Sequence, residues 1–259
     1  MSEETLGILI STFAVKIYFL AAALSVVDFL IYEKITIENL KSFVADYLNI
    51  IVETLFFTLL SLQRFNTSWL PREPLFRFEI GYWSLFASFI LYDLFFFLEH
   101  FLMHKISFLW AFHHVHHSSE RFGLSVGFRL SWFRSLRRLY FFFPMVYFGF
   151  PPSIVIFSMA LINLWGFFVH SASGLKFPKA LSWIVSPHTH SLHHERKLKH
   201  SNYGGFLLIW DILFKTAQFE SETNKVYGVF NYKMTLNPFS NQFNEFYKMY
   251  IKRFVDQLF

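Results

Sequence analysis

The sequence predicts an all-α protein embedded in a membrane, with four to five spanning or re-entrant helices and a helical cap on the cytoplasmic face that carries its histidines. Three observations lead there. Apolar residues make up 54% of the 259-residue chain and charged residues 16%, against about 25% charged in soluble domains. The apolar residues are gathered into long runs. All 12 histidines fall between His100 and His200. This composition excludes a disordered chain and a coiled coil. The absence of cysteine excludes a disulfide framework, an iron–sulfur cluster and a thiolate zinc site.

Residues 5–32, 42–62, 79–100 and 152–170 are each long enough to cross a bilayer, which takes about 20 predominantly apolar residues. Residues 139–149 form a shorter run that contains Pro144 and can span only at a tilt. The start is acidic (Ser2, Glu3, Glu4), whereas a secretory leader begins basic, so residues 5–32 are read as mature structure. The tail places Phe243, Phe246, Tyr247, Tyr250 and Phe254 at near-helical spacing. It is expected on the membrane surface or against the catalytic face. These runs divide the chain into N-terminal membrane helices (1–78), a catalytic domain (79–240) and an amphipathic tail (241–259).

Lysine and arginine set the orientation, because short basic loops stay in the cytoplasm. Arg134, Arg137 and Arg138 precede the fourth run, and Lys176, Lys179, Arg196, Lys197 and Lys199 follow the fifth. Both clusters are therefore placed in the cytoplasm, and the uncharged Pro151–Pro152 turn opposite. Tracing back, the third helix ends in the cytoplasm at His100. The 63–78 connection and the N-terminus come out external. The basic residues flank apolar spans, which speaks for membrane lipids and against nucleic acid as a partner.

The histidines fall into short motifs. His100 and His104 form H-x-x-x-H, His113, His116 and His117 form H-x-x-H-H, and His190, His193 and His194 repeat H-x-x-H-H. His170 ends the fifth apolar run. On a helix, an i,i+4 pair sits about 40° apart and an i,i+3,i+4 trio spans about 100°, so each motif presents its imidazoles on one face. His188 falls on the opposite face of its trio, His114 at the margin of its own, and both, with His200, are left outside the site. The third and fifth runs end at the same membrane face, so all four groups can converge. Nine nitrogens exceed the needs of one metal and suit two metals of four to five ligands each. Clustered imidazoles would repel one another if protonated, and a metal binds the neutral form. A carboxylate-bridged di-iron bundle would show two Glu-x-x-His motifs, and none is present. An all-nitrogen di-iron site at a membrane face is the natural remaining fit, and it points to oxygen chemistry on lipid.

At these residues the chain resembles the fatty acid hydroxylase/sterol desaturase superfamily of membrane di-iron oxygenases, most closely its alkylglycerol monooxygenase branch and bacterial relatives. The matching stretches are HHVHHSSERFGLSVGFRLS (113–131), GFPPS (149–153), SPHTHSLHH (186–194), NYGGFLLIWDILFKT (202–216) and YGVFNYKMTLNP (227–238). The resemblance covers roughly residues 80–240. It implies two Fe ions held by His100, His104, His113, His116, His117, His170, His190, His193 and His194. O₂ is implied as co-substrate, with an acyl, alkyl or sterol-like lipid as substrate and an external electron donor. Beside the last cluster stand Asn202, Tyr203 and Asp211, with Asp211 read either as a carboxylate that orients a ligand imidazole or as a helix-end charge facing solvent. No catalytic residue separate from the metal ligands is expected. Ala172 and Gly166 stand where the alkylglycerol branch carries Glu and Gln, and Gly174 where fatty acid 2-hydroxylases carry a further histidine. These departures weigh against ether-lipid specificity and against pterin as a cofactor.

The expected function is hydroxylation or desaturation of a lipid C–H bond. Two alternatives use the same histidines differently: a bis-histidine haem protein passing electrons in the membrane, or a metal transporter. A transporter would place its site near the bilayer midplane, where the available acids are Asp28, Asp46, Glu53 and Asp93.

Overall fold

The computed structural model describes residues 3–61, 73–132, 138–197, 200–221, 225–230, 232 and 235–252. Long apolar stretches make the long helices: α1 (Glu3–Tyr32), α2 (Ile37–Ser61), α3 (Tyr82–Lys105) and α6 (Pro152–Phe168). Shorter helices carry the polar motifs: α4 (Ser107–His117), α7 (Pro187–His193), α8 (Ile209–Leu213) and α9 (Pro238–Phe246). The fourth apolar run becomes a π-helical turn, Arg138–Phe142, continued by α5 (Phe143–Phe148). Among the described residues there are no strands, only the isolated bridges Ile184–Leu207 and Glu195–Tyr227.

One described helix, α3, is both long and apolar enough to cross a membrane; α6 and the Phe19–Tyr32 part of α1 are shorter apolar helices. The third run extends past the expected end at His100 to Lys105, so the whole H-x-x-x-H motif is helical.

Helices α3 and α6 run side by side in the same direction. Ser88 and Ser158 hydrogen-bond between them at 3.1 Å. Tyr92 of α3 packs with Val155 and Ile162 of α6 and with Phe141, Met145 and Phe150. At their starting end, the strand-like segment 75–78 runs along the end of α5, donating from Leu75 N to Tyr147 O and from Phe78 N to Gly149 O. A Cβ at Gly149 would lie 2.2 Å from Phe76 O, and its φ is +123°. Only glycine fits there. The sequence put the 63–78 connection and the Pro151–Pro152 turn on one side, and the described part of that connection does meet the turn; residues 62–72 lie outside the described residues.

At the opposite end α1 and α2 grip the loop that follows α4. Asp28 of α1 accepts from Leu124 N and from Ser171 Oγ. Asp46 of α2, fully buried, accepts from Arg121, from Ser125 Oγ at 2.7 Å and from Arg129 Nε at 2.5 Å. Arg121 also reaches Glu33 at 2.6 Å. The tail is bound to the same end. Gln242 of α9 donates to Leu130 O and Asn49 Oδ1, and Phe246 stacks on Phe112 of α4 at 5.4 Å. Helix α9 runs across residue 240, where the sequence suggested a boundary; Phe254 lies outside the described residues.

Candidate metal centre

Four local devices bring nine imidazoles together. On α3, His100 and His104 are one turn apart. Ile106, in extended conformation, is at once the end of α3 and the start of α4. The chain therefore folds back, and α4 lays His113, His116 and His117 against α3. His170 follows the last turn of α6. Helix α7 starts at a reciprocal cap in which Ser186 Oγ accepts from Thr189 N and Thr189 Oγ1 accepts from Ser186 N. Pro187, with no N–H to lose, occupies its first turn.

The result is two nitrogen clusters, each with donor atoms within 4.8 Å of one another: His100, His104, His113, His117 and His193, and His116, His170, His190 and His194. The sequence motifs do not map onto the clusters one to one. From α4, the i,i+4 pair His113/His117 enters the first cluster and His116 the second. From α7, the pair His190/His194 enters the second and His193 the first. The two clusters adjoin, with His117 stacked on His194 at 4.4 Å between ring centroids.

The ring nitrogens have two kinds of environment. Nδ1 of His100, His116, His170 and His193 lies 2.9, 3.0, 2.5 and 2.6 Å from the carbonyl oxygens of Tyr203, Arg129, Gly166 and Ser201. A carbonyl only accepts, so Nδ1 carries the proton and Nε2 keeps its lone pair. The Nε2 atoms then face one another: His100 to His113 at 3.1 Å, His113 to His117 at 3.2 Å, His116 to His170 at 3.2 Å and His170 to His190 at 3.1 Å. Nitrogens each about 2.1 Å from one ion, at tetrahedral to octahedral angles, lie about 3.0–3.4 Å apart. Both nitrogens of His104 and Nε2 of His193 and His194 are buried with no hydrogen-bond partner. Leaving such groups unpaired is costly, and a cation at the centre of each cluster would take one nitrogen of each of these rings. The residues present therefore fit a pair of imidazole-bound metals.

Burial keeps these rings neutral. It holds His116, His117, His190 and His194 well below the usual histidine range, assisted by neighbouring histidines, and pushes His193 down to about 3. At neutral pH they are lone-pair donors. His114 lies outside both clusters, with Nδ1 on Ala111 O and its ring against Tyr232. His188 bonds Phe219 O, and His200 is exposed with its ring 6.3 Å from that of His104.

Asp211 departs from expectation. It is fully buried and touches no histidine; it accepts from Tyr203 N and Gly204 N, both at 2.8 Å, and from Thr216 Oγ1 at 2.6 Å. Its influence on the site passes through the backbone, because Gly204 N, from which it accepts, belongs to the same peptide unit as the Tyr203 carbonyl that accepts from His100 Nδ1. Asn202, at φ +55°, donates to Thr189 O of α7 and to Gln218 O, and accepts from Gln218 N. Tyr203 packs its ring nearly perpendicular to those of His100 and His193 and tilted against that of His104. A Cβ on Gly204 would meet Leu207 O at 2.4 Å, so the turn closes only on glycine.

Sequence reading missed three supports. Asp93 of α3 accepts from Phe206 N, Leu207 N and Trp210 Nε1, tying that same turn to the helix of His100. Asp46 and Arg129 together hold the carbonyl that orients His116. The signal was present: an acid inside an apolar helix must find a partner. The acids Asp28, Asp46 and Asp93 serve as anchors.

Between the clusters and the apolar helices lies a cavity of about 560 Å³. His100 and His113 of the first cluster and His116, His170 and His190 of the second open onto it, and its remaining lining is almost entirely apolar.

The family model described as fatty acid hydroxylase matches residues 85–216. Alkylglycerol monooxygenase of Xenopus tropicalis is 33% identical over 164 residues, covering 62% of this chain and 36% of that protein. The same-named protein of Homo sapiens is 30% identical over 171 residues, 65% of this chain and 38% of its own length. A cholesterol 25-hydroxylase-like protein of Danio rerio is 33% identical over 150 residues, 53% of this chain and 57% of that protein. The matched region thus spans little more than a third of the alkylglycerol monooxygenases. No solved structure matches the chain. The family match covers half of the chain and contains all nine clustered histidines, and the chain belongs to the fatty acid hydroxylase family.

Proposed function

We propose that this chain is an integral membrane di-iron oxygenase that hydroxylates a lipid C–H bond. The observation that carries the reading is the opening of both nitrogen clusters onto one apolar cavity. His100, His104, His113, His117 and His193 would hold one iron, and His116, His170, His190 and His194 the other. When bound, the iron pair supplies the reduction of O₂ and the oxidation of the C–H bond, with electrons from an external donor. The protein holds the rings neutral and correctly protonated through the carbonyls of Tyr203, Arg129, Gly166 and Ser201. The phenylalanine-rich walls exclude water and align a chain with the histidines.

Four to five helices would lie in the bilayer, with the histidine end in the cytoplasm, where positive residues gather. Residues 1–78 would then form a membrane anchor that also braces the loop after α4, residues 79–240 the catalytic unit, and 241–259 a tail that closes its outer face. The lipid relatives favour an alkyl or sterol-like substrate.

A haem needs a flat slot between two axial imidazoles. Five imidazole nitrogens converging within 4.8 Å leave no such slot, which favours metal ions over a porphyrin. The clusters also sit at the helix ends and not at the middle of a span, against a transport site.

The test is metal analysis and an optical spectrum of the detergent-purified protein, followed by lipid-product analysis under ¹⁸O₂. About two irons per chain, no Soret band and an ¹⁸O-labelled lipid alcohol are expected. An alkene would redirect the reading to desaturation. A Soret band, or metal flux without O₂ consumption, would overturn it.

A further inference from the structure

Helix α6 is the most apolar of the long helices, yet one strongly polar side chain, Asn163, interrupts it. Its surroundings show why it stands out. Ile156, Met159, Asn163, Phe167 and His170 all line the cavity. They recur every three or four residues, so they form one stripe of the helix. Seven residues separate Asn163 from His170. At about 1.5 Å rise and 100° per residue, this puts the amide about 10 Å from His170 along the axis and nearly beneath it. Between them, the position of a Cβ on Gly166 is open space, so no side chain blocks the way. Among the described residues the Asn163 amide has no hydrogen-bond partner, and it is exposed on the cavity wall. An amide carries two N–H donors and a carbonyl acceptor, and leaving them unpaired in an apolar surrounding is costly.

The rest of the lining limits what the amide can pair with. Among the described residues that line the cavity there is no lysine, arginine, aspartate or glutamate. A carboxylate or phosphate placed beside Asn163, about two helical turns from the histidine end, would find no charged side chain among the described lining residues, and an isolated buried charge is far more costly than a neutral polar group.

We propose that Asn163 recognises a neutral oxygen function, a hydroxyl, ether or carbonyl, on an otherwise apolar substrate, and so sets which carbon lies beside the histidines. The selected substrate class is an uncharged lipid whose polar atom sits about two helical turns from the oxidised carbon. This rests on the cavity being the substrate site, as in the proposed function, but it is tested by binding, which needs neither iron nor turnover.

The experiment compares hexadecane, 1-hexadecanol and hexadecanoate as ligands of the purified full chain in nanodiscs, for wild type, Asn163→Leu and Asn163→Gln. The wild type is expected to bind 1-hexadecanol about 3- to 10-fold tighter than hexadecane, the range of one neutral hydrogen bond. Hexadecanoate is expected to bind more weakly than the alcohol. Asn163→Leu should remove the preference for the alcohol while keeping hexadecane affinity, and Asn163→Gln should retain part of it. The melting temperature and metal content of both variants should match the wild type, since among the described residues Asn163 makes no hydrogen bond to a histidine. An unchanged preference in Asn163→Leu overturns the assignment, as does tighter binding of the anion. If binding follows the expectation but no iron or oxygenase activity is found, the proposed function fails and this inference stands. If iron and turnover are found but the preference is absent, only this inference fails.

Discussion

At the scale of single residues, the histidines differ in kind despite their shared motifs. His193 and His188 stand five residues apart near α7, yet one points Nε2 into the first cluster while the other bonds the Phe219 carbonyl away from it. His193→Ala should abolish activity and lower the iron content of the purified protein, because the first cluster loses its only ligand from α7. His188→Ala should keep both. Metal analysis alongside a lipid-product assay reads each variant. Full turnover by the first, or iron loss by the second, would contradict the division. The carbonyl partners of Nδ1 matter as much as the rings, since each fixes a proton on the far nitrogen and a lone pair on the near one.

At the scale of elements, the unexpected finding is the dependence of the centre on α1 and α2. The sequence treats residues 1–75 as apolar helices of no particular character. In the fold, Asp46 accepts from both Arg121 and Arg129 with no solvent exposure. A buried pair adds little net stability over an apolar replacement, but deleting one member strands the other. Asp46→Ala leaves two guanidiniums without their shared carboxylate, and should cost about 3–5 kcal/mol. The Arg129 carbonyl, the partner of His116 Nδ1, would lose its anchor in the same change. A thermal melt in detergent should therefore show a large drop, with iron lost from the folded fraction as well. A melt equal to wild type would show that α2 is dispensable to the loop.

For the whole molecule, the contacts give each long helix a direction. Helices α3 and α6 end at the histidines, α1 arrives there with Asp28, and α2 leaves from there past Asp46. If the basic residues face the cytoplasm, as proposed, segment 73–81 and the Gly149–Pro152 turn would lie outside. The chain contains no cysteine, so single cysteines report side without interference. An impermeant maleimide should label Glu79→Cys on intact cells and Lys197→Cys only after permeabilisation. The reverse pattern would invert the orientation and put the metal centre outside.

The sequence by itself determined the helical class and put forward the long apolar runs and the nine histidines that the fold gathers into two clusters. Those properties are carried by local period and composition, and helices at one membrane face have few places to put their imidazoles. It could not divide the histidines between two clusters. Each H-x-x-H-H trio is shared out by how α4 and α7 are rotated against each other, and a trio spanning about 100° of helix surface can serve two neighbours. Nor could it show the role of Asp211, which acts through a backbone turn, or the partners of Asp46, which lie 75 and 83 residues away. Such pairings are settled only when distant segments pack, because burial is what obliges a charge or a lone pair to find its partner.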